Sequence, residues 1–176
     1  MLFRSGKWGS MDELQTMRTK DVLPRVRQIV AETLMIEPDA VHDDTVLIEE
    51  LNADSMDFVE ITYRLEIEYG IRFYEGPVFE DLEALFRPET LSENDELTEY
   101  GVTVLRARMP EIDSAKFAIG MATSQIEAFF TPAAFARSVV EMVQVQQGDE
   151  GSSGRVAQHE ALSRWVEEFR ACHAQP

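Results

Sequence analysis

Between Asp21 and Leu34 the apolar residues Val22, Val26, Ile29, Val30 and Leu34 recur at the spacing of one helix face, which predicts a first helix. Pro24 falls in its first turn, where a missing backbone N–H costs little. A long acidic loop from Glu37 to Asp54 follows, with Val41, Leu47 and Leu51 as its inward anchors. A second helix is expected from Ser55 to about Tyr69, with Val59 and Leu65 directed into the core and Gly70 as a left-handed C-terminal cap. Much later, Thr131 reads as an N-cap and Pro132 as a first helical residue. Phe135, Val139, Met142 and Val143 then form the inward stripe of a last bundle helix.

About 55 residues, from roughly position 75 to 128, separate the second helix from that last one. Phe79, Leu82, Leu85 and Phe86 predict a short helix ending before Pro88. Thr98 is a candidate cap for another through Arg108, with Val102, Leu105 and Met109 apolar and Pro110 as its stop. Gly101 argues against that helix, because glycine is a poor helix former. Phe117, Ile119, Met121, Ile126 and Phe129 demand burial, so part of this segment is expected to pack on the bundle. It reads as cover for core surface, as an extended partner-recognition surface, or as a wall that lengthens a binding cavity. The run Gly148-Asp149-Glu150-Gly151-Ser152-Ser153-Gly154 has the composition of a flexible linker. Beyond it, Leu162, Trp165, Val166, Phe169 and Cys172 share one face of a predicted helix. That face suits packing against the parent domain, or docking and self-association with Trp165 as anchor.

The chain of 176 residues and 44% hydrophobic content is long and apolar enough for a substantial core. Its formal charge is −17, and the distribution carries the information. From Glu37 to Glu68 there are eleven acidic residues and one basic residue, Arg64, so net −10 is gathered around Ser55. Such a field repels nucleic acid and steers basic protein surfaces. One cysteine, Cys172, excludes an intramolecular disulfide and fits a reducing, cytoplasmic setting. No apolar run reaches the length of a membrane span, and no signal-peptide core is evident. Gly9-Ser10-Met11 resembles a cloning scar ahead of a native start, so residues 1–10 are left out of the fold reading.

The candidate chemistry centres on Leu51-Asn52-Ala53-Asp54-Ser55-Met56-Asp57-Phe58-Val59-Glu60-Ile61. Taken alone, Asp54 and Ser55 could simply cap a helix, with Asp57 adding favourable charge in the first turn. A helix N-terminus can also hold an anion such as a phosphodiester on its free N–H groups. The wider context resembles the acyl carrier protein family: a first helix, a long acidic loop, Ala-Asp-Ser, a second helix, then Tyr69-Gly70-Ile71. The Phe130–Val140 stretch is similar to the family's final helix. Met56 stands where the family has leucine. Asn52 stands where glycine is usual, and asparagine is among the few residues that tolerate a positive φ.

The resemblance implies an all-α fold: an acyl-carrier-like four-helix bundle with a helical insertion and a C-terminal helix after the linker. The expected divisions are 1–18 flexible, 19–147 carrier domain with the insertion at about 75–128, 148–155 linker and 156–173 C-terminal helix. It further implies that Ser55 carries 4′-phosphopantetheine, transferred from coenzyme A by a phosphopantetheinyl transferase. Asp54 would orient that region, Met56, Asp57, Glu60 and Tyr63 would meet partners, and Val59, Leu65 and the stripes of the other helices would line the core and any acyl cavity. Those partners would be synthases, ligases and acyltransferases of fatty-acid, polyketide or lipid biosynthesis. Aminoacyl and peptidyl carriers usually show Gly-Gly-x-Ser and fit less well. A different class, an unmodified acidic interaction module using the insertion and tail, stays open.

No catalytic constellation is visible. His42, His159 and His173 lack zinc-ligand spacing, and Cys172 and His173 are neighbours whose side chains would diverge by about 100° on a helix. Asp43-Asp44 lacks the alternating ligands of a calcium loop. No phosphate-cradling glycine loop or Gly-x-Ser-x-Gly elbow occurs. The chain is therefore expected to be a carrier without catalytic residues or a metal site.

Overall fold

The computed structural model describes residues 16–74, 76, 78–146 and 154–173. The first helix, α1 (Thr19–Leu34), buries Val22, Val26, Ile29, Val30 and Ala31 and ends at Met35 in a left-handed conformation. Arg18 N–H donates to Asp21 Oδ2 at 3.0 Å and closes its N-terminus. Met17, just before it, is also buried in the core, so the segment expected to be flexible over 1–18 stops short of it; residues 1–15 lie outside those described. The expected long loop holds a 3₁₀ turn (Pro38–Ala40) and a short helix, α2 (Leu47–Leu51). Val41 and Leu47 are fully buried there, and Leu51 packs against the same core. Helix α3 (Ser55–Tyr69) ends at Gly70 with φ 67°, as the sequence predicts.

The last bundle helix, α6 (Pro132–Gln146), packs on α1 and α3, and its inward stripe is buried as expected. Thr131 Oγ1 accepts from Ala134 N–H at 3.1 Å, which closes one orphan donor at the start of α6. Polar bridges join α1 to α3 at the rim. Arg25 reaches Glu68 at 2.9 Å, and Arg64 engages both Glu32 and Thr33.

The insertion forms α4 (Val78–Phe86), a hairpin of β1 (Ser92–Glu93) and β2 (Glu96–Leu97), and α5 (Glu99–Arg108). Two 3₁₀ segments follow, Ser114–Lys116 and Thr123–Phe129. The hairpin is the small exception to an otherwise all-helical fold. Asn94 and Asp95 at its tip both take positive φ, 53° and 64°, the backbone a two-residue hairpin turn requires. Gly101 sits inside α5 for a steric reason. A Cβ there would lie 2.0 Å from the Leu91 carbonyl oxygen, which the Thr98 N–H and hydroxyl hold in place at 3.0 and 3.1 Å. Close approach outweighs helix propensity.

Insertion residues complete two further cores. Leu97, Val102, Leu105, Ile112, Phe117 and Phe129 gather around Val46 from the loop before α2. Leu82, Phe86, Leu91 and Val104 gather with Leu162, Val166 and Phe169 of the C-terminal helix α7 (Gly154–His173). Ile119 departs from the expected burial and is 67% exposed, at the turn before Gly120. The tail helix packs on both α6 and α4, with Ala157 and Ala161 entering the main core. Cys172 is exposed and leaves the predicted apolar stripe, because the contact face ends at Phe169. The expected linker falls mainly on residues outside those described. Positions 154 and 155 already belong to α7.

Candidate functional site at the start of helix α3

Ser55 is the first residue of α3 and is exposed. The turn that presents it is built from three features. Asn52 takes φ 56° and ψ 31°, doing the work of the family's usual glycine. Ala53 is buried, and its N–H donates to Leu47 O at 3.0 Å. Asp54 then adopts an extended conformation and caps the helix, with Oδ1 accepting from Met56 N–H at 2.8 Å and from Asp57 N–H at 3.1 Å. Asp57 Oδ2 returns the bond by accepting from Asp54 N–H at 2.9 Å, a reciprocal capping box.

This arrangement changes the expected role of the helix terminus. Two first-turn N–H groups that could have held a phosphodiester are occupied by Asp54, and two carboxylates add negative charge beside Ser55. An anionic group on Ser55 would therefore find these two N–H groups already taken. The exposed hydroxyl has room for a bulky substituent, so the site fits a covalently attached phosphodiester arm but not a tightly bound one. The capping box fixes the start of α3, where Ser55 is exposed.

The loop carrying this turn is tied to α6 and the insertion. Leu47 N–H donates to Phe130 O at 3.0 Å, and Ala133 N–H donates to Asp43 O at 2.9 Å. Lys116 of the insertion meets Glu49 Oε2 at 2.5 Å. Beneath the first turn of α3, Phe58 packs against Phe130 and Phe135, with ring centroids 5.6 and 6.1 Å away. Phe130 and Phe135 are 5.6 Å apart.

Along α3, Met56 is 70% and Tyr63 55% exposed, and Glu60 is exposed beside them. Asp57 is half-buried, with its carboxylate engaged in the capping box. Val59 contradicts its expected inward position. It is 60% exposed, because the buried face of α3 is set by Ile61 and Leu65, with Phe58 packed beside them. Met56, Val59, Tyr63 and Ile67 thus form one outward apolar stripe whose spacing of three, four and four residues was visible in the sequence. The aromatic contact among Phe58, Phe130 and Phe135 was not, since it joins distant segments. Among the described residues, no group of three or more His, Cys, Asp or Glu side chains could hold a metal ion. Nor is any helix among them long and apolar enough to cross a membrane.

Residues 24–82, from α1 into α4, match the family model described as "Phosphopantetheine attachment site". The chain is 47% identical over 51 residues to an acyl carrier protein of Campylobacter hominis, covering 29% of this chain and 65% of that protein. It is 40% identical over 55 residues to that of Thermosynechococcus vestitus, covering 31% and 68%. For the acyl carrier protein of Zymomonas mobilis the figures are 34% over 58 residues, covering 33% and 74%. This chain belongs to the acyl carrier protein family. The cofactor of the matched region is covalently attached 4′-phosphopantetheine. The aligned stretches span about two thirds of these relatives' own lengths, and the family match ends at residue 82. No solved structure matches the chain significantly.

Proposed function

We propose that this protein is an acyl carrier whose phosphopantetheine arm is joined to Ser55 and whose thioester-bound acyl group is delivered to biosynthetic enzymes. The observation that carries this reading is an exposed serine, the first residue of an acidic helix, held by a reciprocal Asp54–Asp57 cap inside a matched attachment region. In loading, the Ser55 oxygen would form a phosphodiester with the pantetheine phosphate of coenzyme A. The hydroxyl proton and the adenosine bisphosphate moiety depart, and a partner transferase supplies the catalysis. The arm's terminal thiol supplies thioester chemistry.

This chain's own part is presentation. Ser55 is exposed at the capped start of α3, and the Met56, Val59, Tyr63 and Ile67 stripe offers apolar contact to a docked enzyme. Glu60 and the surrounding acidic residues favour basic partner surfaces. Tethering raises the local concentration of cargo at each docked active site. Synthases, ligases and acyltransferases of fatty-acid, polyketide or lipid biosynthesis fit as users. A cytoplasmic location suits such a protein. The packing of α7 on α4 and α6 favours a structural role for the tail over self-association.

Mass analysis of the peptide containing Ser55, from protein isolated from its own host, tests this reading. An acyl-pantetheine adduct on that serine supports it and names the cargo. A uniformly unmodified Ser55 in cells that modify their other carriers would favour an acidic interaction module instead.

A further inference from the structure

We infer that Val46 is a positioning residue for the loading of Ser55, and that packing inside the insertion, transmitted through Val46, holds the turn that presents the serine. This rests on the carrier reading above. Val46 and Leu47 are consecutive residues whose side chains enter two different cores. Leu47 is buried in the bundle. Val46, 3% exposed, is buried instead among Leu97, Val102, Leu105, Ile112, Phe117 and Phe129 of the insertion. Helix α2 has only five residues, and so short a helix is not stable without packing around it. The bundle holds it from one side and the insertion from the other.

The link from the insertion to Ser55 runs along specific bonds. The 3₁₀ segment Thr123–Phe129 packs against α2, and the carbonyl of the next residue, Phe130, accepts from Leu47 N–H at 3.0 Å. The Leu47 carbonyl in turn accepts from Asn52 N–H and from Ala53 N–H, the latter at 3.0 Å. Val46 N–H donates to Glu50 Oε1 at 2.8 Å, which ties Val46 to the same helix. Together these bonds close the left-handed turn at Asn52, and Asp54 and Ser55 follow it directly. At the surface Lys116 pairs with Glu49 of α2. Arg106 of α5 orders the loop that carries Lys116, donating to the Ser114 and Phe117 carbonyls at 3.1 and 3.0 Å. A transferase therefore docks on a serine whose turn is already ordered, and such pre-ordering lowers the cost of binding. Loosening the packing at Val46 raises that cost and leaves the chemical step in the transferase as it was.

The test compares Val46→Ala with Val166→Ala in the full chain. Both valines are 3% exposed, but Val166 belongs to the core shared by α4, α5 and α7, away from α2. Hydrogen exchange of the Ala53 amide, read against the Val139 amide of α6, reports opening of the Ser55 turn. Steady-state transfer from coenzyme A by a broad-specificity phosphopantetheinyl transferase gives KM and kcat for the carrier. Val46→Ala is expected to speed Ala53 exchange and raise KM several-fold with kcat unchanged, whereas Val166→Ala moves neither. Ile112→Val, a milder change made wholly within the insertion, should shift both readings in the same direction as Val46→Ala. An unchanged Ala53 exchange rate or an unchanged KM in Val46→Ala, or equal effects of the two valine variants, would overturn this inference while leaving the carrier reading intact. Failure of the natural chain to accept phosphopantetheine on Ser55 would overturn both.

Discussion

The Arg108 guanidinium and the Glu141 carboxylate form a two-pronged ion pair at 2.6 and 2.7 Å, with side chains only 10% and 17% exposed. The pair joins the insertion to the last bundle helix. The same guanidinium lies 5.2 Å from the centre of the Trp165 ring, so the C-terminal helix shares the contact. Arg137 and Glu111 repeat the link nearby, at 2.9 and 3.0 Å. Insertion and tail thus both meet the bundle at or beside α6.

Removing one partner of the first pair leaves a nearly buried charge uncompensated. Arg108→Ala is expected to destabilise the protein by about 3 kcal/mol. Replacing both residues with methionine should recover most of that loss. Denaturant midpoints of the two single variants and the double variant check this.

Gly101→Ala separates steric need from helix propensity. Propensity alone would give a gain of about 1 kcal/mol. The methyl would instead fall 2.0 Å from the Leu91 carbonyl oxygen, so a net loss of about 2 kcal/mol is expected from overpacking. Thermal or chemical unfolding of the variant measures the sign.

Burial, reinforced by the neighbouring Glu68 carboxylate, pushes the Tyr69 phenol up to about 12 from its ordinary 10.0, while Arg25 pulls the other way. The folded chain therefore keeps this proton where the unfolded chain loses it. Stability from this group is complete below about pH 10 and falls as pH rises from about 10 to about 12. Tyr100, also raised by burial, acts in the same direction. Tyr69→Phe should shrink the alkaline loss in a series of denaturant midpoints across that range.

The outward stripe of α3 should matter to partners and not to folding. Tyr63→Ala, at a residue 55% exposed, is expected to leave the unfolding midpoint unchanged. It should weaken binding to a cognate enzyme by about 2 kcal/mol, roughly thirtyfold in Kd. Titration by calorimetry against such an enzyme, paired with an unfolding curve, distinguishes the two effects.

Much of this molecule was readable from local rules. Gly70, Thr98, Thr131 and Pro132 each mark a helix boundary where the structure has one, because caps are decided by neighbouring residues. Asn52 likewise takes the left-handed turn its side chain tolerates. The sequence failed where long-range contact decides. Val59 and Leu65 looked alike as apolar residues of one helix, yet only Leu65 faces α1 and α6. Gly101 looked like a helix breaker until Leu91 was seen against it. Asp54 caps α3 as the letters allowed, but which of Asp54 and Ser55 would take the Met56 and Asp57 N–H groups depended on side-chain geometry.

The central claim is that Ser55 is the attachment point. Intact-mass measurement after incubation with coenzyme A, magnesium and a broad-specificity phosphopantetheinyl transferase tests it most directly. A gain of one phosphopantetheine in the natural chain, absent from Ser55→Ala, is the predicted result. No gain under conditions that fully modify a control carrier, or a gain that survives Ser55→Ala, would contradict it.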